Sequence, residues 1–340
     1  MASRLSLTTL PTALEPAPRL GAAIGAPGLL SKRDDLAGAD YGGNKVRKLE
    51  YLLADARQRG CDAVVTFGAA GSNHALATAV YAHRIGLACH AVLTDQVPTP
   101  WVANTLRWHC LLGTLLHHAT GFVEAQAVAE QLKAEHPGGP DRLYEIPWGG
   151  SSPLGSLGFV DAADEIALQL RAAGITGPVR IYLPCGTMGS VAGLLVGLCR
   201  ANIPATVVSV KVVPQHVVDR AAVLRHAAAI DALLPASMSS TPERLERQVE
   251  FRAGFEGDGY ALPTPECEEA VALARELEGM KLDTTYSGKA LACLIADARS
   301  GRLEGQVPVF WQTWNTREYP AGLKSVDLSQ LPVAFRKFFD

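Results

Sequence analysis

Lys45 stands directly after two glycines and an asparagine in Gly42-Gly43-Asn44-Lys45-Val46-Arg47-Lys48-Leu49-Glu50. Glycine lets backbone come close to a ligand. A lysine just inside a helix start, near the positive end of the helix dipole, has its ammonium form disfavoured. Such an amine can form a Schiff base with a carbonyl compound; the same residues also read as a glycine turn capping a helix with a basic face. Gly68-Ala69-Ala70-Gly71-Ser72-Asn73-His74 follows an apolar run and opens a helical pattern. Helix N-termini offer unpaired N–H groups to a carboxylate or phosphate, although Ser72 also fits an ordinary N-cap and His74 alone reads as structural. Pro184-Cys185-Gly186-Thr187-Met188-Gly189-Ser190 has the same placement. Its N–H groups and the Thr187 and Ser190 hydroxyls could cradle a phosphate without a basic side chain; a tight turn between strand and helix is the alternative. This segment matches neither the GxxxxGK[ST] nor the GxGxxG pattern. Cys185 lacks a nearby histidine in sequence to activate it. A fourth segment, Ile146-Pro147-Trp148-Gly149-Gly150-Ser151-Ser152-Pro153-Leu154-Gly155-Ser156-Leu157-Gly158, is dense in turn residues and suits a hinge or a binding loop.

Regular elements must hold these segments in place. Ala63–Phe67, Cys89–Leu93, Thr114–His118 and Arg142–Ile146 read as strands, separated by helices over Asn73–Ile85, Pro100–Leu111 and Val123–Glu135. Leu157–Ala173 is helical. Strands over Val179–Leu183, Ala205–Val212 and Val307–Gln312 then alternate with helical stretches over Gly189–Arg200, Val218–Leu233, Pro242–Gly254, Pro265–Leu277 and Gly288–Ala298. Strands separated by helices predict an α/β fold of open parallel sheets flanked by helices. Breaks near Glu50–Asp55 and at Ile146–Gly158 predict a small α/β domain over 53–152, inserted into a large domain built from 1–52 and 153–340. Ligands usually bind at the carboxyl ends of such strands and in clefts between such domains.

Composition narrows the classes further. Hydrophobic residues make up 48% of the 340 residues and charged residues 19%, enough for a sizeable core. Lys plus Arg number 31 against 34 Asp plus Glu, and no run of like charge offers a nucleic-acid footprint. The cysteines are Cys61, Cys89, Cys110, Cys185, Cys199, Cys267 and Cys293, with no CxxC pair, so a reducing, cytoplasmic setting fits better than disulfides or a zinc site. No metal site is expected. Before Pro11 there is no uninterrupted apolar run of the kind a secretory signal needs. The uncharged stretch Ile181–Cys199 is 19 residues long, but its proline and four glycines predict strand, turn and helix, not a membrane span.

The ordered set KRDDL, GGNKVRKLEYLLADA, GSNHALATA, IPWGGSSPLGSLGFV and GTMGSVAGL, spread from about Lys32 to Thr313, resembles the family of D-cysteine desulfhydrases and aminocyclopropane carboxylate deaminases. The resemblance implies a pyridoxal phosphate enzyme of fold type II, the tryptophan synthase β-subunit type, acting on a small amino acid as a homodimer. By the same resemblance, Lys45 carries the cofactor and Asn73 hydrogen-bonds its phenolic oxygen. Ser72 and the backbone of Asn73 and His74 receive the substrate carboxylate. Gly186, Thr187, Met188, Gly189 and Ser190 form the phosphate cup. Tyr260 and Tyr286 match two active-site tyrosines, and Thr313 faces the pyridine nitrogen. Trp148 and Ser287 complete the expected substrate contacts, with Lys45, Ser72, Tyr260 and Tyr286 as the catalytic set.

Two positions bear on the branch. The deaminase pattern has Glu after the second tyrosine and Leu at the end of the last strand, where this chain has Ser287 and Thr313. That is closer to the desulfhydrase pattern. A neutral hydroxyl at the ring nitrogen does not hold a full pyridinium charge, which suits expulsion of thiolate better than opening of a cyclopropane. The expected reaction is therefore α,β-elimination from D-cysteine to pyruvate, ammonia and sulfide. Cysteate, another β-substituted alanine or aminocyclopropane carboxylate is an alternative substrate, a non-catalytic pyridoxal phosphate carrier an alternative role, and a nucleotide- or sugar-phosphate-binding protein a third reading. The chain departs from the desulfhydrase pattern at Trp148, at Trp314, where paired glycines are usual, and in the short Pro-rich lead-in from Leu10 to Leu30.

Overall fold

The computed structural model describes residues 2–213, 218–236 and 240–339. In chain order its elements are β1 (Leu14–Pro16), α1 (Pro18–Ile24), β2 (Leu30–Lys32), α2 (Lys45–Gln58), β3 (Ala63–Ala69), α3 (Asn73–Arg84), β4 (Ala88–Thr94), α4 (Pro100–Leu111), β5 (Leu115–Ala119), α5 (Phe122–Glu135) and β6 (Leu143–Ile146). There follow α6 (Pro153–Ala172), β7 (Val179–Cys185), α7 (Gly189–Arg200), β8 (Ala205–Lys211), α8 (Arg220–Asp231), α9 (Pro242–Gln248), β9 (Val249–Arg252), α10 (Pro265–Glu278), α11 (Ser287–Arg299) and β10 (Val307–Trp311). The chain divides into two compact units, one of Thr8–Lys48 and Ser151–Thr316, the other of Ala2–Leu7, Leu49–Gly150 and the chain from Arg317 on.

The first unit holds a six-stranded sheet in the order β1-β2-β10-β7-β8-β9. All its pairs are parallel except β1 with β2. Parallel strands covered by helices read as continuous apolar runs, and β7 is buried at every position. On one face Leu291, Leu294 and Ile295 of α11 pack with Tyr182, Val208 and Phe310 of the sheet. The uncharged stretch Ile181–Cys199 is the body of β7, the turn and nearly all of α7, whose residues from Gly189 to Cys199 are buried.

Two element boundaries differ from expectation by four residues or more. Helix α6 starts at Pro153, not Leu157, because Ser152 Oγ accepts from Gly155 N at 3.1 Å and proline suits the first helical position. Its glycines serve close packing rather than a loop: a Cβ on Gly158 would fall 2.1 Å from Arg47 O. The stretch expected to be helical to Gly254 breaks at Gln248, and β9 joins the sheet edge with Val207 opposite Val249. A local helical pattern yields there to the open edge of β8, since strand formation depends on the neighbour available.

The second unit holds a four-stranded parallel sheet in the order β5-β4-β3-β6. One core cluster joins Ala75, Leu93, Val102 and Leu106 to Leu331, Phe335 and Phe338 near the end of the chain. Another joins Val65, Phe67 and Val92 to Ala125 and Ala129 of α5.

Candidate active site

The start of α2 is stitched into its unit by the turn before it. Gly43 N donates to Asp34 O at 2.7 Å and Asn44 N to Thr313 O at 3.0 Å. Gly42 N donates to Asn315 Oδ1 at 2.7 Å, and Asn44 Nδ2 to Ser190 Oγ at 2.9 Å. One short turn thus ties the end of β10 and the start of α7 to the residue before Lys45. Asn315 does this from the Trp314-Asn315-Thr316 run, where the desulfhydrase pattern differs. Two residues past Lys45, the buried Arg47 donates its fork to Asp34, through Nε at 2.9 Å and Nη2 at 2.7 Å, and reaches both Glu165 oxygens. Lys32, also fully buried, pairs with Glu165. Two cations meet two anions in this network; Arg47→Met leaves Glu165 to Lys32 but takes the ion-pair partner from the fully buried Asp34. The variant should lose about 3–5 kcal/mol of stability in urea melts, whereas a surface arginine would lose almost nothing.

Lys45 itself is half-buried. Loss of hydration lowers its amine to about 8, against the upward pull of Asp283 and of Cys185. Lys48 lies one turn along the same face of α2 and is buried. Burial, and then the charge of Lys45, bring its pKa well below the ordinary lysine value.

Lys48 adds a basic side chain to the 184–190 loop, whose N–H groups and hydroxyls could act without one. Its Nζ donates to Ser151 Oγ at 3.0 Å, and Gly189 N donates to the same oxygen at 3.3 Å. Ser151 Oγ and Thr187 Oγ1 share a hydrogen bond of 2.8 Å that either hydroxyl can donate. A Cβ on Gly189 would lie 2.7 Å from Ser151 Oγ and 2.8 Å from both Lys48 Nζ and Ser156 Oγ, so any side chain there would push these polar ends apart. Met188 holds φ at 66°, an uncommon conformation for a non-glycine residue and one that gathers at ligand sites. Helix N–H groups, the Thr187 and Ser190 hydroxyls and a buried lysine amine together suit a phosphate monoester, whose charge favours the protonated amine. The spacing of Lys45 and Lys48 on one helix face was the signal that could have found the second lysine.

The tyrosines belong to the same unit. Tyr260 and Tyr286 share a hydrogen bond of 2.6 Å, and a Cβ on Gly186 would sit 3.5 Å from Tyr286 Cε1. Burial pushes Tyr260 up to about 12 and Tyr286 well above its ordinary value. Both phenols are therefore protonated at neutral pH, and a pair that shares one proton keeps the other to donate. The carboxylate of Asp283 accepts from the N–H groups of Thr285, Tyr286 and Ser287 and so fixes the entry to α11. Ser287 is fully buried and its hydroxyl is bound to that same carboxylate, so the structure commits it to Asp283 and not to an open ligand surface. The segment before Tyr260 is anchored at Glu256, whose carboxylate takes Lys211 Nζ at 3.0 Å and whose carbonyl takes Lys289 Nζ at 2.5 Å.

In the second unit Ser72 caps α3, its Oγ accepting from Ala75 N at 3.2 Å. Asn73 is the first residue of that helix, at the carboxyl end of β3. His74 is buried, with Nε2 3.0 Å from Thr66 Oγ1. Trp148 stacks on Phe67 at 5.6 Å and on Phe122 at 5.7 Å. Its ring belongs to the apolar cluster under α5, a packing role that its large size in a turn-rich segment did not reveal. No cluster of His, Cys, Asp or Glu among the described residues is arranged to hold a metal, and no helix among them is long and apolar enough to cross a membrane.

Comparison with known proteins agrees with this chemistry. Residues 5–311 match the family described as pyridoxal-phosphate dependent enzyme. The chain is 34% identical over 319 residues to nocardicin C-9' epimerase of Nocardia uniformis subsp. tsuyamanensis, covering 93% of each chain. It is 34% identical over 312 residues to D-cysteine desulfhydrase of Salmonella choleraesuis (strain SC-B67), covering 91% of this chain and 92% of that one. A crystal structure of an ACC deaminase homologue superposes with a TM-score of 0.78 at 30% identity, covering 96% of both chains.

Proposed function

The chain belongs to the pyridoxal-phosphate dependent enzymes of fold type II, and from that membership we propose that it catalyses α,β-elimination from a small β-substituted amino acid. D-Cysteine is the leading substrate, and with water it gives pyruvate, ammonia and hydrogen sulfide. Bound pyridoxal phosphate supplies the electron sink for the pair left when the α-proton departs. Lys45 would hold it covalently and the 186–190 loop with Lys48 would hold its phosphate; the family resemblance alone would give its ring oxygen to Asn73 and its ring nitrogen to Thr313. Ser72 with the backbone of Asn73 and His74 takes the substrate carboxylate. An amine near 8 is partly unprotonated at neutral pH and can take the α-proton. The tyrosine pair, held protonated, acts as acid toward the leaving sulfur. The observation that carries the reading is the placement, in one unit, of Lys45 at the start of α2, the 186–190 turn with Lys48 beside Gly189, and the 2.6 Å Tyr260–Tyr286 pair against Gly186.

The resemblance to D-cysteine desulfhydrase supports the thiol and its handedness. An equal identity to an epimerase supports a second reading, in which the α-proton is removed and returned without loss of a β-substituent. Keto-acid release by the cofactor-loaded protein separates them, on D- and L-cysteine, D- and L-serine, β-chloro-D-alanine, cysteate and aminocyclopropane carboxylate. Pyruvate from D-cysteine with L-cysteine inert supports elimination. Exchange of the α-hydrogen in heavy water without keto acid points to epimerisation, and 2-oxobutyrate from the cyclopropane substrate overturns the reading of Thr313. A cytoplasmic homodimer belongs to the same proposal, and sedimentation tests the dimer.

The cup makes its own prediction. Lys48→Met removes a charge-assisted contact and should weaken pyridoxal phosphate binding by about 10–100-fold, measured by titration of the cofactor-free protein.

A further inference from the structure

Behind the first turn of α7 lies a polar pair outside the phosphate loop. Ser156, on the first turn of α6, is fully buried, and its hydroxyl donates to Ser152 O at 2.8 Å. A carbonyl only accepts, so that bond uses the single proton of the hydroxyl. His226 Nε2, on α8, lies 3.0 Å from the same Ser156 oxygen and must be the donor. The imidazole is thereby assigned as the Nε2–H tautomer. Ser156 Oγ also stands among the three polar atoms that close on Gly189, at the same 2.8 Å from a Cβ there as Lys48 Nζ. Burial and the charge of Lys48 lower His226 to about 4, so it is a neutral donor at physiological pH. A second cation at this spot would repel Lys48; a neutral N–H does not.

We propose that His226 is a positioning residue of the phosphate cup, which through Ser156 fixes the first turn of α6 against Gly189 and Lys48 so that a phosphate monoester meets donors already in place. The proposal rests on the assignment of the 186–190 loop to the cofactor phosphate and adds a group that touches no phosphate itself. Ordering the cup in advance removes a cost that binding would otherwise carry.

The test compares two ligands that differ only in the phosphate. Cofactor-free full-length protein is titrated with pyridoxal 5'-phosphate and with pyridoxal, as the unsubstituted chain and as His226→Leu, His226→Gln and Ser156→Ala. Glutamine keeps an N–H donor near the position of Nε2. His226→Leu should weaken the phosphorylated ligand about tenfold and leave pyridoxal unchanged, and His226→Gln should recover to within about threefold of the unsubstituted protein. Ser156→Ala should reproduce the leucine result, and keeps the question open to experiment if that variant does not fold. Unchanged affinity for pyridoxal phosphate, or equal loss for both ligands, overturns the proposal. Failure of the unsubstituted protein to prefer the phosphorylated ligand would instead sink the assignment of the loop.

Discussion

Lys45→Ala should abolish turnover and remove the visible absorption band of lysine-bound cofactor. The loss should reach at least about 10³-fold, the scale on which removal of a covalent catalyst is felt. The reason lies in what each lysine is bonded to. Lys48 donates to Ser151 beside Gly189, whereas the charge environment of Lys45 is set by Asp283 and Cys185. Alanine at 45 leaves the turn 42–44 and its bonds to Thr313 and Ser190 intact, since these use backbone and Asn44. Pyridoxal phosphate should therefore still bind, with the spectrum of the free aldehyde. Retention of both band and turnover would assign the covalent role to another amine.

Tyr286→Phe should lower kcat for D-cysteine by about 10²–10³-fold, the range for loss of a positioned general acid, with KM little changed. Its hydroxyl makes the 2.6 Å bond to Tyr260, and the raised pKa values of both groups keep them protonated. A departing sulfur gains from a proton, but a departing chloride does not. β-Chloro-D-alanine should accordingly lose less than about tenfold in the same variant. An equal loss on both substrates would move Tyr286 from the leaving group to the α-proton or to positioning. The backbone should be unaffected, because Asp283 holds Tyr286 through its N–H and not its hydroxyl.

The fold was largely legible because parallel α/β units write their period into the chain. Helices α4 and α7 have the bounds that Pro100–Leu111 and Gly189–Arg200 predict, each fixed by a local signal: the Thr99 cap with Pro100, and the glycine after the 184–188 turn. What the pattern could not show depends on distant partners. Strand β9 exists because β8 offers an edge, and Gly158 lies inside α6 because its face meets the backbone of Arg47. At the candidate site the motifs single out segments, but the wiring between them is non-local. Asn44 reaches Ser190 across 146 residues and Tyr260 meets Tyr286 across 26. Trp148 and Ser287 show the converse, since both stand in motif positions yet have their ring and hydroxyl engaged by Phe67, Phe122 and Asp283.

Every role assigned to the site is measured from one lysine, and a second buried lysine stands a single helical turn away. Borohydride reduction of the cofactor-loaded protein, followed by proteolysis and mass spectrometry, decides between them. The account predicts the reduced cofactor on Lys45, with Lys48 unmodified; the label on Lys48, on any other lysine, or on none would contradict it.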